Sequence, residues 1–418
     1  MATHTSRGSV GPSVVVTLLP IVAVACVLFL VTGIALPVLP LHVHQGLGFG
    51  TFVVGLVAGA QFGASLLSRF WAGQYADARG AKRATVAGLL LASTAGVLYA
   101  VSLALVPAPA WSLSILLLGR AVLGAAESCV VTGSLAWGLI LAGPQNSGKV
   151  MAWVGLAMYV ALAVGAPAGT ALYGAAGFGA VAVATIVVPL AGLALIARLH
   201  AVPPRASRRP AVARIVGAVW KPGVGLAFSS IGFGAITTFL VLLFAQRGWE
   251  RAWLGLSTFF AAFVLGRLLF GHLPDRIGGL RVAFGSVVIE AAGLALIWLA
   301  TSPAAAFAGA ALAGLGYTLV YPGYGVEAVR LAPAESRGLA MGAYTAFLDL
   351  ALGVANPALG LVASVLGVRV VFLASAFVVL CSAGIASHMA LRSRSRPHAK
   401  GRDPGARRLV MERAGEKA

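Results

Sequence analysis

The chain has 418 residues, of which 60% are hydrophobic and only 10% carry a charge. Soluble domains carry roughly 25% charged residues, so this composition excludes an ordinary soluble protein. The net charge of +19 would suit a nucleic-acid binder, but the basic residues lie mostly between apolar stretches and after Leu391. That distribution is typical of membrane topology signals, so we expect no nucleic acid to bind.

Apolar stretches of about 20 to 28 residues recur along the chain, and a helix needs roughly 17 to 25 residues to cross a bilayer. Helices satisfy their own backbone hydrogen bonds in lipid, so the sequence predicts an all-α polytopic membrane protein. The first stretch is too long for a signal peptide, and we expect it to be retained. Twelve spans are predicted, over residues 14–40, 50–73, 84–106, 111–142, 149–172, 177–198, 222–246, 252–273, 281–301, 303–330, 337–362 and 368–391.

Basic residues are concentrated in alternate connections. One set of connections contains Arg79, Lys82, Arg83, Arg205, Arg208, Arg209, Arg214, Lys221, Arg276, Arg281, Arg330 and Arg337, whereas the opposite set contains Arg247, Arg251 and Arg369. The positive-inside rule then places both termini in the cytoplasm. We expect a cytoplasmic N-terminus (1–13), a six-helix bundle (14–198), a basic cytoplasmic linker (199–221), a second six-helix bundle (222–391) and a basic, disordered cytoplasmic tail (392–418).

A charged segment occurs twice, as GQYADARGAKR after the second span and as GHLPDRIGGLR after the eighth. With an offset of 198 residues, Arg69, Gly73, Asp77, Gly80 and Arg83 match Arg267, Gly271, Asp275, Gly278 and Arg281. With an offset of 190 residues, Gly124, Gly148 and Pro167 match Gly314, Gly338 and Pro357. The two halves therefore look like related copies, as in transporters built from repeated bundles.

The first segment, Gly73-x-x-x-Asp77-x-x-Gly80-x-Lys82-Arg83, resembles the signature loop of the major facilitator superfamily (MFS). The second segment resembles the degenerate copy of that loop, and the resemblance covers essentially all twelve spans. It implies the MFS fold, in which 12 transmembrane helices form two pseudo-symmetric bundles around a central site. It also implies a monomer that works by alternating access.

Two further motifs resemble those of particular branches of this family. Arg120-Ala-Val-Leu-Gly124-Ala-Ala126 is similar to the fourth-span motif of proton-coupled members. Gly165-Ala-Pro167-Ala-Gly169 is similar to the fifth-span motif of exporters, although Ala166 separates a glycine and a proline that are usually adjacent. The pattern is most similar to an efflux-type branch of the bacterial inner membrane.

The charged loops are interpreted as a cytoplasmic gate. An aspartate is stabilised by the exposed N–H groups at a helix N-terminus, by about 0.3–2 kcal/mol. The resemblance implies that Asp77 faces the start of span eleven near Gly338 and that Asp275 faces the start of span five near Gly148. Such contacts would join the two halves when the cytoplasmic side is closed. The alternative is a solvated loop in which Lys82 and Arg83 serve orientation alone.

Ionisable residues inside the spans are the candidates for function, because a charge at mid-bilayer costs roughly 2.5 kcal/mol or more. We expect Glu127, in span four, to carry the proton or bind substrate, and Asp349, in span eleven, is the next candidate. Arg120 either modulates the pKa of a carboxylate or anchors the cytoplasmic gate. The alternative for Glu127 is a structural carboxylate fixed by polar neighbours.

The remaining acids have weaker signals. Glu290 is deep in span nine, which is peripheral in the resembled fold, so packing or an interhelical hydrogen bond is the favoured interpretation. Glu327 lies near the end of span ten, and we expect a rim ion pair with Arg330.

Span ten contributes Tyr317, Tyr321 and Tyr324, and we expect Pro322 and Gly323 to break its helix. A broken helix exposes polar backbone groups, which membranes tolerate at sites buried in protein or lined by water. Tyr317 and Tyr321 are therefore candidates for ligand contact, although tyrosines also anchor spans at membrane rims. Weaker candidates are Gln61, Tyr159, Asn356 and the span-seven hydroxyls of Ser229, Ser230, Thr237 and Thr238.

Two histidines, His42 and His44, follow the first span. They could sense pH or bind a metal, but we favour a solvated loop and expect no metal site. The cysteines Cys26, Cys129 and Cys381 lie inside apolar stretches, without the spacing of disulfides or metal ligands.

The sequence as a whole predicts a secondary active transporter. Nothing resembles a phosphate-binding loop, so we expect no ATP-driven pumping, and a proton gradient is the expected energy source. An intramembrane enzyme would need a clustered catalytic set, and the paired histidines His42 and His44 have no nearby acid, so we expect no enzyme activity and no cofactor. Proton-coupled efflux of a small organic molecule is the favoured function, and proton-coupled import uses the same parts. A non-transporting sensor is a further alternative. The expected partners are the substrate, protons and the lipid bilayer.

Overall fold

A computed structural model describes residues 14–143, 146–197, 199, 201, 212–332 and 337–394. In these ranges the chain is helical, and short turns join the helices. The helices are α1 (Val14–Ala35), α2 (Leu39–Leu41), a π-helical turn (His42–Gly46), α3 (Thr51–Arg79), α4 (Ala81–Ala104), α5 (Pro109–Ala142), α6 (Ser147–Ala197), α7 (Val212–Gln246), α8 (Ala252–Phe270), α9 (Leu273–Ile277), α10 (Gly279–Leu299), α11 (Pro303–Tyr317), α12 (Val320–Leu331), α13 (Arg337–Leu366) and α14 (Val368–Arg394).

The number of membrane crossings agrees with the sequence. Within the described ranges, 11 helical stretches are long and apolar enough to cross a bilayer. One of them, α6, has 51 residues and leaves the helical conformation at Ala176 and Gly177. Gly177 has a φ of 65°, which glycine adopts without steric cost, so the chain reverses there. With α6 counted as two spans, the predicted twelve spans are confirmed.

Equivalent helix contacts occur in the two halves, as the repeat predicts. In the first half, Gly124 of α5 packs against the backbone carbonyl of Gln61 in α3. In the second half, Gly314 of α11 packs in the same way against Phe259 of α8. A Cβ at either glycine would overlap the facing carbonyl, so both positions need glycine for the close helix approach.

The boundaries of the predicted domains differ from the helices in two described places. Helix α14 continues to Arg394, so the start of the predicted disordered tail 392–418 is helical. Helix α7 begins at Val212, inside the predicted linker 199–221, and Pro222 lies within it. Residues 202–211 of that linker, the predicted N-terminus 1–13 and residues 395–418 of the predicted tail lie outside the described residues.

The break in span ten lies at Thr318 and Leu319, ahead of Pro322. Helix α11 ends at Tyr317 and α12 begins at Val320. Pro322 is thus in the first turn of α12, where a backbone N–H would have no intrahelical partner. The proline starts the second segment instead of interrupting the first.

His42 is buried rather than solvated, so the expectation of a solvated loop is wrong for this residue. Its side chain is 5% exposed, and its ring stacks on Phe178 with 3.9 Å between centroids. The first span continues through α2 and the π-helical turn to Gly46. His44 lies nearer the surface, with its Nδ1 atom 2.8 Å from the carbonyl oxygen of Phe49.

Lys82 closes the C-terminal end of α6. Its Nζ donates to the carbonyl oxygens of Ala197 at 3.1 Å and Leu199 at 2.5 Å. Cations near the last carbonyls of a helix stabilise it by roughly 0.3–1 kcal/mol. This contact gives Lys82 a role beyond setting orientation.

Lys82→Met is therefore expected to lower the free energy of unfolding by about 0.5–1 kcal/mol, because the last carbonyls of α6 lose their donor. Thermal unfolding of the purified protein measures the change. Arg83→Met is the matched control, since Arg83 is exposed and donates to no described residue. Equal effects of the two substitutions would show that the cap contributes nothing.

Candidate binding site between the two halves

Successive spans reverse direction, so the connections lie at two opposite ends of the molecule. We call one end the histidine face, formed by residues 42–50, 105–108, 176–177, 247–251, 300–302 and 367. We call the other end the basic face, formed among the described residues by 79–81, 142–143, 146–147, 271–279, 332 and 337.

The two halves are joined on the side of the histidine face. Thr51 at the start of α3 donates to the carbonyl oxygen of Gly360 in α13, at 2.9 Å. Ser257 of α8 donates to the carbonyl oxygen of Ala163 in α6, at 3.0 Å. Gly59 also packs closely against Pro357. These contacts close the histidine face.

An ion pair joins the halves farther from the histidine face. Arg69 of α3 donates from its Nε to Oδ2 of Asp349 in α13, at 2.9 Å, and its Nη2 contacts the same oxygen. Asp349 is 2% exposed and Arg69 is 20% exposed. The sequence singled out Asp349 but not its partner. In the sequence Arg69 stands out only through its match to Arg267.

Glu127 lies in the same region, on α5. Gln61 of α3 donates from Nε2 to Oε2 of Glu127, at 2.8 Å, and Glu127 is half-buried. Its carboxylate interacts electrostatically with Asp349 and with Tyr159. The structure thus brings the two acids favoured by the sequence into one cluster between the halves.

Aromatic residues form a wall of this cluster. The ring of Tyr159 in α6 stacks on Phe263 in α8, with 3.6 Å between centroids. Tyr321 of α12 shares a hydrogen bond of 2.8 Å with Thr345 of α13. Tyr159 and Tyr321 are both half-buried. A ligand here would meet apolar ring faces together with hydroxyl groups.

Tyr317 lies deeper in the wall than Tyr321 does. It is 2% exposed, and its hydroxyl is 3.3 Å from that of Ser230 in α7. Its ring packs near Phe259. In this conformation Tyr317 packs inside the second half behind the wall, and its side chain is not exposed at the site.

Arg120 lies apart from the cluster, toward the histidine face. It is 4% exposed, and it donates to the carbonyl of Val57 at 3.3 Å and to the hydroxyl of Tyr99 at 3.5 Å. It lines a small cavity with Pro40 and Thr237. This position does not fit the predicted anchoring of a gate at the basic face.

Glu290 and Glu327 also lie outside the cluster. Glu290 is 1% exposed inside the second half and accepts a hydrogen bond from Ser229 of α7, which is the interhelical bond that the sequence favours. Glu327 forms an ion pair with Arg330 at 2.6 Å near the basic face.

The fifth-span motif packs α6 on α1. A Cβ at Gly165 or Gly169 would overlap the backbone at Gly33 and Ile34, and Pro167 lies between them inside the helix. The two glycines therefore allow close packing within the first half.

The residues of the predicted gate form no hydrogen bond or ion pair with a described residue of the opposite half in this conformation. Asp77 and Asp275 are both exposed, and neither has a hydrogen bond or ion pair with a described residue. The burial of their predicted partners, Gly148 and Gly338, lies outside what is described. Space beside Gly73 is open, so the described contacts leave this side of the interface unjoined.

Comparison with known proteins gives consistent results. The family model of the Major Facilitator Superfamily matches residues 21–256 and 223–414. An uncharacterized MFS-type transporter of Salmonella typhimurium is 40% identical over 377 residues, which cover 90% of this chain and 97% of the relative. A second, from Pseudomonas aeruginosa, is 40% identical over 395 residues, or 94% and 98% of the two chains.

The fold also resembles solved structures. The crystal structure of the nucleoside transporter NupG matches with a TM-score of 0.71 and 14% identity, covering 89% of this chain and 99% of that one. At this identity the match shows a shared fold and does not extend to the substrate.

Proposed function

Because the chain belongs to the major facilitator superfamily, we propose that this membrane transporter exports a small organic molecule in exchange for protons. It acts in the bacterial inner membrane, as a monomer, without a cofactor. The observation that carries the proposal is the position of Glu127. Its half-buried carboxylate lies between the two halves, and Gln61 is the residue that donates to it.

Proton exchange follows from the surroundings of Glu127. A carboxylate in a site of low polarity binds or releases a proton when its exposure or a neighbouring charge changes. Asp349 is already engaged by Arg69, so Glu127 is the acid of the cluster that is free to exchange a proton. A substrate group that takes the place of this proton would couple the two fluxes in opposite directions.

Alternating access is supported by the uneven contacts between the halves. The positive-inside rule assigns the basic face to the cytoplasm, and the described contacts join the halves on the opposite side. This conformation is then the one that opens inward. Closure of the cytoplasmic side would bring Asp77 and Asp275 to the helix starts of the opposite half, where they stabilise the outward-facing state.

Flux in proteoliposomes tests this function. The vesicles are loaded with a small-metabolite extract of bacterial cells, a pH gradient is imposed, and mass spectrometry identifies the solutes that cross. We expect at least one solute to cross in the direction opposite to the flow of protons. Protein-free vesicles are the control. Movement with the protons would favour import by symport. No movement, or movement independent of the gradient, would contradict the proposal.

A further inference from the structure

The two copies of the repeat differ at their central charges. The 198-residue offset relates Arg69 to Arg267, and the 190-residue offset relates Asp349 to Tyr159. In one copy the arginine forms an ion pair with the aspartate. In the other copy Arg267 interacts electrostatically with Tyr159, which occupies the position equivalent to the aspartate. The second copy therefore has the cation without its anion.

Arg267 lies near the tyrosines of the site without a close polar partner among the described residues. It is half-buried on α8, and its guanidinium makes no hydrogen bond or ion pair with any described residue. Arg267 interacts electrostatically with Tyr159 and Tyr321. It also interacts with Asp275, an exposed residue eight positions later in the chain. A neutral phenol does not balance a guanidinium charge, and a partly buried charge without a close partner is costly.

The opposite difference occurs at Glu127. The 190-residue offset relates Glu127 to Tyr317, so the first half has an acid where the second has a tyrosine. The cations that interact electrostatically with Glu127 are Arg69 and Arg120. Arg69 is engaged by Asp349. Arg120 is seven residues away, about 10 Å along the helix. Glu127 therefore accepts a hydrogen bond from Gln61 but has no described ion pair.

We propose that the transported molecule is a zwitterion, whose acidic group binds Arg267 and whose protonated amine binds Glu127. This inference rests on the proposed function and names its substrate class. An arginine binds a carboxylate or a phosphate through two parallel hydrogen bonds. The amine and the transported proton compete for Glu127, as exchange requires. The ring faces of Tyr159 and Phe263 favour an apolar or aromatic body between the two charged groups.

Thermal unfolding of the full purified chain with three matched probes tests the proposal. The probes are 4-(aminomethyl)benzoate, 4-methylbenzoate and 4-methylbenzylamine, which share a ring and differ in charge. We expect the zwitterion to raise the unfolding temperature and each singly charged probe to raise it less. Equal stabilisation by a singly charged probe, or stabilisation by none of the three, would overturn the assignment.

Substitutions place the acidic group at Arg267. Arg267→Gln is expected to weaken binding of the zwitterion by about tenfold or more, since a hydrogen bond to a charged group is lost. Arg276→Gln, at an exposed position of the basic face, is the control and should keep the affinity. Tyr159→Asp would recreate the ion pair of the other half and should weaken binding to a similar extent. Unchanged binding in Arg267→Gln or Tyr159→Asp would overturn the proposal.

These measurements separate the substrate class from the transport mechanism, because they need neither vesicles nor a gradient. Binding of the zwitterion without gradient-driven flux would contradict proton exchange and leave the class intact. Gradient-driven flux of solutes that carry a single charge would contradict the class and leave proton exchange intact.

Discussion

Replacing Asp349 by asparagine is expected to lower the free energy of unfolding by about 3 kcal/mol, because it leaves Arg69 without its partner in the membrane interior. Breaking a buried ion pair by removing one partner costs roughly 3–5 kcal/mol. The lower end applies here, because Arg69 keeps 20% of its side chain exposed to solvent. Chemical denaturation of the purified protein measures the change.

Arg267→Gln is the matched control for this prediction, since Arg267 occupies the equivalent position in the repeat and has no described ion pair. We expect it to change stability much less than Asp349→Asn does. The double variant Arg69→Met with Asp349→Leu should recover much of the loss, because it leaves no unpaired charge. Equal losses in Asp349→Asn and Arg267→Gln would show that the ion pair does not hold the halves together.

Replacing Glu127 by glutamine is expected to reduce gradient-driven transport to the rate of protein-free vesicles. Glutamine keeps the size of the side chain but cannot release a proton, so the step that couples substrate to protons is lost. The proteoliposome assay with the metabolite extract measures this effect. Folding is checked by thermal unfolding, which we expect to change little.

Glu327→Gln is the control for the coupling residue. Glu327 pairs with Arg330 near the basic face, outside the cluster, so its substitution should leave gradient-driven transport in place. Transport that survives in Glu127→Gln with an unchanged dependence on the gradient would remove Glu127 from the coupling step.

The spans are predictable from the sequence because a bilayer imposes a length and an apolar composition on each crossing helix. The residues at which the helices begin and end are less predictable. Helix α7 begins at Val212, since a helix can continue beyond the bilayer. The burial of His42 is not predictable locally, because Phe178, the ring that covers it, comes from the end of another span, far along the chain.

The candidate site was only partly predictable. Glu127 and Asp349 stood out as charges inside apolar stretches. The partner of Asp349 did not, because Arg69 is 280 residues away and the pair depends on how the halves meet. A signal was nevertheless present, since Arg69 and Arg267 recur at the repeat offset.

The direction of a side chain around a membrane helix was the hardest feature to predict. Membrane helices are apolar on all sides, so no polar face marks the side that lines the site. Glu290 lies inside the second half, whereas Glu127 is half-buried between the halves. Nothing in the local sequence distinguished these two glutamates. Small neighbours such as Gly124 identify the contact face only once the facing helix is known.

Pairs of distances across the two faces test the central claim that the halves rock about the Glu127 cluster. After the native cysteines are replaced, spin labels are placed at Ala78 and Leu339 for the basic face, and at Gln45 and Glu250 for the histidine face. All four positions are exposed, and pulsed electron paramagnetic resonance measures the distances in liposomes.

We predict two populations at each face, with a short distance at one face accompanying a long distance at the other. Asp77→Asn should reduce the population with a short basic-face distance, because the outward-facing state loses a contact. A single fixed distance at both faces, or distances that lengthen together, would contradict the account.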